Sequence, residues 1–472
     1  MNVLFCVSEL ASVYHLGGLG DVAYSLPLAL YERGVDIRVA LPFHHSITTQ
    51  KEWNIEEEIP VIFNGKTETV SVWRGTIPGT KAPFYLFANK TYLSQPSDVA
   101  DNAIEKFLFF SLAICSWLTE KKSPWQPELL HLNDWHTALV PAILAHRFNT
   151  SLFKSLLTIH NLNFQGITSV DTLGKLGIDV SSCPTLRWDA GNKDINVLME
   201  GIVHSNFVNT VSPTYAKEIL TAEYGASLNP VLQALEGKIC GILNGIDYTV
   251  WNPETDPFIT PYSIDTLSEG KKKNKETLQK QLGLSNNTSS MLASYVGRID
   301  SKQKGIDLLI EALKAGALGT PQRQFVFLGT GETYFEDILT ELSVSNPSFT
   351  AVCRFDVNLS HSLYAASDVI VMPSKYEPCG LVQMIAMRYG AIPVVRKTGG
   401  LADTVTEGKT GFLFTNYSTE ELIFTLNRAW SIIENDEKRL QMAKLGMEID
   451  FSWDGSATKY QQLYRTLLWN SL

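Results

Sequence analysis

The chain lacks the features that mark several large classes of protein. Its 472 residues include only six cysteines, widely scattered and without a Cys-x-x-Cys pair, so neither a disulfide scaffold nor a zinc motif is indicated. Basic residues are in deficit, since 39 Lys and Arg stand against 49 Asp and Glu and give a formal net charge of −10. A broad basic face for nucleic acid or an anionic membrane is therefore not expected.

Long hydrophobic runs are scarce as well. The longest covers residues 107–118, which is too short to span a bilayer and predicts a core helix. No basic segment or small-residue cleavage site precedes the apolar run at residues 3–7. We therefore expect a soluble protein of a reducing compartment, and a mature form trimmed of a leader is an open alternative.

What the chain does contain is a repeated α/β rhythm. Hydrophobic residues make up 44% and charged residues 19%, so a large core can form. Short apolar runs alternate with helical patterns in both halves, which predicts parallel sheets covered by helices and two Rossmann-like domains. The predicted strands are residues 3–7, 37–41, 84–87, 129–132, 156–159, 292–296, 325–328, 369–372 and 392–395.

The boundary between the domains is expected after Asp247, where an irregular stretch begins. This gives domains at residues 1–247 and 248–454, followed by an amphipathic C-terminal helix at 455–472. Open parallel sheets bind ligands beyond the carboxyl ends of their strands. With two such domains facing each other, the expected site is the cleft between them.

A glycine turn follows the first strand. Gly17 and Gly18 precede a helix, where backbone N–H groups and the helix N-terminus favour a phosphate. The pattern is not Gly-x-Gly-x-x-Gly, and no acidic residue follows the second strand, which disfavours a dinucleotide-dependent dehydrogenase. A plain tight turn, with Asp21 as a helix-terminal acid, is the alternative.

Later strands end in polar residues beside aromatics. Residues 133–136 read Asn-Asp-Trp-His, and residues 160–166 begin His-Asn and end Gln-Gly. Amides and carboxylates bind sugar hydroxyls and rings stack on sugars, so a carbohydrate site is predicted. The alternative is that the histidines are structural.

The second half places cations and an acid after strands. Arg298 and Lys304 follow one strand and suit a diphosphate, unless this is merely a solvated loop. Glu377 follows another strand on a Glu-Pro-Cys-Gly turn before a helix. Small-residue turns at 329–331 and 398–403 allow close approach of a nucleotide.

These motifs together resemble the bacterial glycogen synthases and plant starch synthases, retaining glucosyltransferases of the GT-B fold. The resemblance covers essentially the whole chain, and the Glu-Pro-Cys-Gly-Leu turn with the residues after it is its most specific part. The matching segments are residues 17–22, 131–136, 160–166, 209–213, 244–247, 329–331, 373–381 and 388–405.

The resemblance implies transfer of glucose from ADP-glucose, or UDP-glucose, to the non-reducing end of an α-1,4-glucan (glycogen, starch or malto-oligosaccharide) with retention of configuration. Residues 1–247 with the returning C-terminal helix would form the glucan domain, and residues 248–454 the nucleotide-sugar domain. The implied compartment is the bacterial cytoplasm or, for a mature plant or algal form, the plastid stroma.

The resemblance also implies roles for individual residues. Glu377 would be the carboxylate near the donor glucose, His160 would present its carbonyl to the anomeric carbon, and Phe355 would stack on the base. The implied catalytic residues are Glu377, His160, Arg298, Lys304 and Asp21. The implied donor-binding residues are His15, Gly17, Gly18, Asn161, Asn244, Gly329, Gly331, Phe355, Cys379, Gly380, Leu381, Thr398, Gly399 and Gly400. The implied acceptor-binding residues are Asp134, Trp135 and His136. The chain has no Asp-x-Asp, so no metal or other cofactor is expected.

The chain departs from the family pattern at two places. His15 stands where the family usually has Lys, which weakens the expected binding of the donor because unperturbed His is mostly neutral at pH 7. One extra residue lies between Arg298 and Lys304. Ile385 stands where many related transferases outside this family have a second Glu, and its presence is expected here. These departures leave two alternatives: a catalytically weak glucan-binding or initiation-accessory protein, and a transferase with another acceptor.

Overall fold

The computed structural model describes residues 1–95, 103–120, 125–235 and 237–469. The chain folds into two compact units, Met1–Gly245 with Trp453–Leu472, and Ile246–Ser452. The predicted boundary after Asp247 lies two residues beyond Gly245. The C-terminal helix begins at Trp453, two residues before the predicted start, and residues 470–472 of that prediction lie outside the described residues.

The first unit contains eleven described strands and most of the shorter helices. Its strands are β1 (Asn2–Cys6), β2 (Asp36–Pro42), β3 (Asn54–Phe63), β4 (Lys66–Thr76), β5 (Pro83–Ala88), β6 (Leu129–Asn133), β7 (Lys154–Ile159), β8 (Ile167–Ser169), β9 (Asp194–Asn196), β10 (Phe207–Thr210) and β11 (Ile239–Gly241). Its helices are α1 (Gly18–Glu32), α2 (Ala103–Glu120), α3 (Asp134–Ala138), α4 (Val140–His146), α5 (Asp171–Lys175), α6 (Pro184–Asp189), α7 (Val197–His204), α8 (Pro213–Glu218), α9 (Asn229–Gln233) and the C-terminal α18 (Trp453–Trp469).

The second unit alternates strands and helices. Its strands are β12 (Met291–Val296), β13 (Arg323–Leu328), β14 (Phe349–Val352), β15 (Val369–Met372), β16 (Ile392–Arg396) and β17 (Phe412–Phe414). Its helices are α10 (Leu267–Leu282), α11 (Ile306–Lys314), α12 (Thr333–Ser345), α13 (Val357–Ala366), α14 (Val382–Arg388), α15 (Gly399–Thr404), α16 (Thr419–Ile433) and α17 (Asp436–Met447). Nowhere in the described ranges does a helix combine the length and apolar character needed to cross a membrane.

The sheet of the second unit has the Rossmann strand order. Its six strands run β14-β13-β12-β15-β16-β17, and every pairing is parallel. Numbered within the unit this order is 3-2-1-4-5-6, the doubly wound arrangement. Apolar side chains from α11 and α16 pack on one face, and those from α10 and α13 pack on the other. The predicted parallel sheet covered on both faces is confirmed here.

The sheet of the first unit differs from the prediction at one edge. Its order is β11-β10-β7-β6-β1-β2-β5-β4-β3, and β4 pairs antiparallel with both β5 and β3. The expectation of a wholly parallel sheet is therefore wrong for this unit. Asn64 and Gly65 connect β3 to β4 with φ of 50° and 71°, as a two-residue hairpin turn requires. An Asn-Gly hairpin signal was thus present in the sequence.

A buried chain of hydrogen bonds attaches α18 to the first sheet. Asn209 donates from Nδ2 to the Tyr460 hydroxyl at 2.9 Å and accepts from Thr158 at 2.6 Å. Because the Thr158 proton is used, its oxygen accepts from His131 Nε2 at 2.6 Å. His131 Nδ1 then accepts from the Tyr464 hydroxyl at 2.6 Å. Burial holds the pKa of His131 well below its usual range, so the ring is neutral as this chain requires.

Tyr464→Phe tests this attachment. The variant leaves the buried Nδ1 of His131 without a donor, and an unpaired buried polar group costs about 1–3 kcal/mol. We expect the calorimetric unfolding transition of the first unit to move to lower temperature. Tyr334→Phe, which removes a hydroxyl from an exposed tyrosine, is the matched control. Equal transition temperatures for the two variants would contradict the assignment.

Candidate active site

In each unit the predicted site residues follow strands at the point where the strand order reverses. In the first unit β1 lies between β2 and β6, and in the second unit β12 lies between β13 and β15. Loops leaving such neighbouring strands diverge, which opens a crevice at the carboxyl edge of the sheet. The glycine turn and Asp134 flank the first reversal, while Arg298 and Glu377 follow the two strands at the second.

Glu9 orders the glycine turn of the first unit. Its Oε2 accepts the backbone N–H of Leu16 at 2.6 Å and that of Gly17 at 2.9 Å. Burial raises the pKa of Glu9, although these two hydrogen bonds oppose the shift. A Cβ on Gly20 would lie 2.6 Å from His15 Cδ2 and 3.1 Å from Glu9 Oε2, so the turn closes tightly over this carboxyl.

His15 contacts Asp21 at the edge of the same turn. Its Nε2 lies 3.4 Å from Asp21 Oδ1 and 3.0 Å from the carbonyl oxygen of Gly17. The hydrogen bond to Asp21 raises the pKa of His15, and both side chains are about half exposed. Asp21 therefore favours the protonated form of the His15 ring.

The N-terminus of α1 is open. Gly17 occupies the N-cap position without a capping side chain, and a Cβ on either Gly17 or Gly18 would meet nothing within 4 Å. The first N–H groups of a helix have no partner within the helix and attract anions. This end of α1 can therefore receive an anionic oxygen.

Asp134 joins the ends of β6 and β7. It adopts a left-handed φ of 53°, and its Oδ1 accepts the backbone N–H of His160 at 2.7 Å and that of Asn161 at 3.4 Å. Burial raises the pKa of Asp134 to about 7. Asp134 therefore organises the backbone of the 160–161 segment, and its acceptor-binding role stays a prediction.

His160 and His136 are both neutral rings. Burial lowers the pKa of each to about 3. The His160 ring donates from Nε2 to Asn133 Oδ1 at 2.9 Å. The backbone carbonyl of His160 takes no part in this hydrogen bond. The His136 ring packs against Trp135 and Phe107, with centroid distances of 4.3 and 4.5 Å.

An aromatic groove of about 1020 Å³ lies beside these residues. Trp135, Phe164 and Trp188 line it, and the last two are 52% and 72% exposed. Gly166 has a φ of 64°, and a Cβ there would lie 2.4 Å from the Trp135 ring, so only glycine fits. The groove offers exposed rings with amide and carboxylate groups at its sides.

The remaining predicted residues of the first unit are amides. Asn161 Oδ1 accepts the N–H of Asn163 at 3.1 Å, which closes a local turn. Asn244 is buried, and its Oδ1 has no hydrogen-bond partner among the residues that the structure describes. A buried acceptor without a partner is costly, so Asn244 Oδ1 is the better of the two candidates for a ligand hydroxyl.

In the second unit Lys304 and Glu377 form a buried ion pair. Lys304 Nζ lies 3.0 Å from Glu377 Oε1 and 2.8 Å from Oε2, and only 17% and 6% of the two side chains are exposed. Ser374 donates its hydroxyl to Glu377 Oε2 at 2.9 Å. The carboxylate is thus held in one orientation by two donors, and the cation and the acid assigned separately from sequence are direct partners.

Arg298 stands apart from this pair and remains accessible. Its side chain is 58% exposed, donates from Nη2 to Gln303 at 3.1 Å and lies 3.7 Å from Asp300. Asp300 also accepts the N–H groups of Lys302 and Gln303 at 3.0 and 3.1 Å. Asp300 therefore holds the turn between Arg298 and Lys304.

The predicted glycines of the second unit pack closely against neighbouring backbone. Gly399 has a φ of 43°, and a Cβ there would lie 1.9 Å from the carbonyl oxygen of Glu377. Gly400 donates its N–H to that same carbonyl at 3.0 Å. Gly329 and Gly331 approach the loop after β12 in the same way, with a Cβ meeting carbonyl oxygens at 2.0 and 2.1 Å. These glycines hold the Glu377 turn and the Arg298 loop in place.

Most of the remaining predicted residues lie in or near the Glu377 turn, and Phe355 lies after another strand. Cys379 and Thr398 are buried, Gly380 has a φ of 73°, and Leu381 is the N-cap residue of α14. Phe355 follows β14 and is 79% exposed, so its ring is free to stack on a planar group.

Sequence reasoning missed three residues that position the site. Glu9 holds the glycine turn, Asn133 holds the His160 ring, and Ser374 holds Glu377. Each of the three lies in or next to a strand-end motif of the sequence, and that position is the signal by which it could have been found. Their hydrogen bonds, however, depend on backbone geometry that no spacing rule supplies.

Comparison with known proteins identifies the class. The family model "Starch synthase catalytic domain" matches residues 2–234, and the model "Glycosyl transferases group 1" matches residues 273–448. Together with the two α/β units and their strand-end sites, these matches define a glycosyltransferase of the GT-B fold.

Full-length relatives identify the family. The chain is 39% identical to a glycogen synthase of Syntrophotalea carbinolica over 98% of both chains, and 40% identical to one of Kosmotoga olearia over 99% of this chain and 98% of that one. The solved catalytic domain of starch synthase IV from Arabidopsis thaliana, bound to ADP and acarbose, has a TM-score of 0.89 and 33% identity over 99% of both chains. The chain belongs to the glycogen and starch synthase family, as its motifs predicted.

Asp134→Asn tests the buried carboxyl. Its pKa is about 7 in the folded protein against an ordinary value of 3.8, so below about pH 4 it is neutral in both states. Between these two pKa values the Asp134 carboxyl of the unfolded chain has lost its proton while that of the folded protein keeps it. The free energy of unfolding of the wild type therefore falls as pH rises. The amide never ionises and tolerates the left-handed φ. We expect the variant to gain stability relative to wild type as pH rises, by on the order of 1.4 kcal/mol per pKa unit.

Denaturant unfolding at about pH 4, 6 and 8 measures this trend. Asp171→Asn, at an exposed carboxyl in the same unit, is the control and should show no such trend. A stability difference between Asp134→Asn and wild type that stays constant with pH would show that the Asp134 carboxyl is not destabilised by burial.

Proposed function

We propose that the protein transfers glucose from ADP-glucose to the 4-hydroxyl at the non-reducing end of an α-1,4-glucan, with retention of configuration. The bond between the anomeric carbon and the diphosphate oxygen breaks and the diphosphate leaves with the electron pair. The oxygen of the glucan 4-hydroxyl forms the new bond, and its proton passes to the departing diphosphate. The observation that carries the proposal is the buried Lys304–Glu377–Ser374 cluster at the strand reversal of the second unit.

Glu377 and Lys304 are proposed as catalytic residues on the donor side. A cationic anomeric centre develops as the diphosphate departs, and a carboxylate held by two donors stabilises such charge without reorganising. Lys304 and the exposed Arg298 bring positive charge for the diphosphate, and Phe355 offers its ring to the adenine. The relative whose structure holds ADP and acarbose supports both a nucleotide and a glucan as ligands.

The first unit offers matching groups for anionic and sugar oxygens. The open N-terminus of α1 is proposed to bind a phosphate oxygen through the N–H of Gly18, with Gly17 allowing its close approach and the His15 charge beside it. Asp21, Asn161 and Asn244 are proposed to hold hydroxyls, and the His160 carbonyl to face the anomeric carbon. No metal ion is proposed for the reaction, because Lys304 and Arg298 offer positive charge for the diphosphate.

The aromatic groove is proposed as the glucan surface. Trp135, Phe164 and Trp188 present rings on which glucose units can stack, while Asp189 and Asn192 line the same groove with polar groups. The polymer is neutral, so a chain of net charge −10 meets no electrostatic penalty in binding it.

Glu377→Gln tests the donor-side assignment. The amide keeps the shape but removes the charge and the Lys304 ion pair, so we expect kcat to fall by about a hundredfold or more. The assay follows labelled glucose from ADP-glucose, and separately from UDP-glucose, into a malto-oligosaccharide primer. Glu311→Gln, which removes an exposed ion pair with Lys314, is the control and should keep full activity.

Two outcomes would contradict these proposals. Unchanged turnover in folded Glu377→Gln would remove Glu377 from its role. No incorporation from either donor by the folded wild-type protein would favour the glucan-binding alternative instead.

His15→Lys tests the charge beside the glycine turn. The hydrogen bond to Asp21 raises the pKa of His15. The ring is therefore protonated at low pH and loses its charge as the pH rises through this raised pKa. We expect the KM for ADP-glucose to rise in the wild type between about pH 5.5 and 8 and to stay flat in the variant. His45→Lys, at an exposed histidine, is the control and should follow the wild type. A flat KM in the wild type would show that His15 is not a partner of the donor.

A further inference from the structure

A second cluster of ionisable side chains lies outside the proposed active site. In the described part of the chain, His146, Cys183 and His204 form the one group of three potential metal ligands whose donor atoms all lie within 4.8 Å of one another. His146 and His204 end helices α4 and α7, and Cys183 precedes α6. All three belong to the first unit, and Cys183 is buried.

Hydrogen bonding determines which ring nitrogen of His204 carries a lone pair. Its Nδ1 lies 2.8 Å from the backbone carbonyl oxygen of Glu200, and a carbonyl can only accept. Nδ1 therefore carries the hydrogen, and Nε2 of the neutral ring presents a lone pair toward His146 and Cys183. A ring that donates its other N–H to a carbonyl is the usual arrangement of a metal-bound histidine.

The distances suit a tetrahedral ion. Nε2 of His146 and Nε2 of His204 are 2.9 Å apart, and Cys183 Sγ is 3.8 Å from Nε2 of His204. Zinc bonds of about 2.0–2.1 Å to nitrogen and 2.3 Å to sulfur place two nitrogens about 3.3 Å apart and nitrogen and sulfur about 3.6 Å apart. Shifts of a few tenths of an ångström would bring the two measured distances to these values, and the ligand atoms of His146 and Cys183 lie within 4.8 Å of each other.

We propose that His146, Cys183 and His204 bind a single transition-metal ion of the zinc type, with water as the fourth ligand. Two imidazoles and a thiolate favour zinc over calcium or magnesium, which prefer oxygen ligands. Binding displaces the thiol proton of Cys183, and the Thr185 hydroxyl, 3.1 Å from Sγ, can donate to the thiolate so formed.

The ion would tie α6 to the body of the first unit. Cys183 is the N-cap residue of α6, and Trp188 near the end of α6 lines the aromatic groove. His146 and His204 belong to helices whose apolar side chains pack in the main core cluster of this unit. Metal binding would therefore restrain the segment that carries Trp188, independently of any transferase activity.

Cobalt titration of the reduced, metal-free full chain tests the site. Co²⁺ replaces Zn²⁺ in such sites and gives a thiolate charge-transfer absorption that reports a cysteine ligand. We expect one equivalent to produce this absorption and one equivalent of Zn²⁺ to remove it. Cys183→Ser should abolish the absorption and weaken Zn²⁺ binding by about a hundredfold or more, beyond what loss of an outer partner costs.

A matched cysteine and a second ligand complete the test. Cys240→Ser changes a half-buried thiol of the same unit and should bind cobalt as the wild type does. His146→Gln should lose the site like Cys183→Ser, so the result does not depend on one variant folding. Zn²⁺ should slow amide hydrogen exchange in residues 183–192 of the wild type and of Cys240→Ser, but not of Cys183→Ser or His146→Gln. No charge-transfer absorption in the wild type, or its persistence in Cys183→Ser, would overturn the proposal.

Discussion

The first unit depends on a buried chain of four hydrogen bonds that crosses from its sheet to the C-terminal helix. Asn209, Thr158 and His131 lie on three adjacent parallel strands, and Tyr460 and Tyr464 lie on α18. With His131 neutral because of its burial, each of these donors has one acceptor. A buried network is stable only when every member is paired, which makes the last helix an integral part of the first unit.

In both sheets the candidate site residues lie where the strand order reverses. Close packing of the loops determines which of their side chains are exposed. In the second unit the glycines hold the loops: Gly399 fits beneath the Glu377 carbonyl because it carries no Cβ. The carboxylate of Glu377 is then fixed by Lys304 and Ser374, while Arg298 stays accessible. In the first unit Glu9 and Asp134 do the corresponding work through backbone N–H groups. Acidic side chains thus organise the loops of a site proposed for an anionic substrate.

Much of the fold could be predicted from apolar runs, and the misses have physical causes. Strand β15 was predicted at its observed limits, and α11 spans a clear amphipathic pattern. The hairpin β3–β4 was missed although two signals were present, the apolar run at residues 59–63 of the outer strand and the Asn64–Gly65 turn. Three acidic residues at 56–58 and the partial exposure of that strand weaken its resemblance to a buried strand. The candidate site was predicted as a set of residues at strand ends. The hydrogen bonds of Glu9 could not be predicted in this way, because they form only when the glycine turn is folded.

The sequence by itself determined the two α/β units and the motifs at the strand ends, because these depend on local apolar periodicity and short-range spacing. The family followed from the resemblance of those motifs to known ones. Tertiary structure alone decided which residues meet. Lys304 and Glu377 are 73 positions apart, and His146 and His204 are 58 apart. Such pairs form only when strand register and helix packing bring distant side chains within hydrogen-bond distance. Register and packing belong to the folded core as a whole, so neither the buried ion pair nor the His-Cys-His cluster has a signature along the chain.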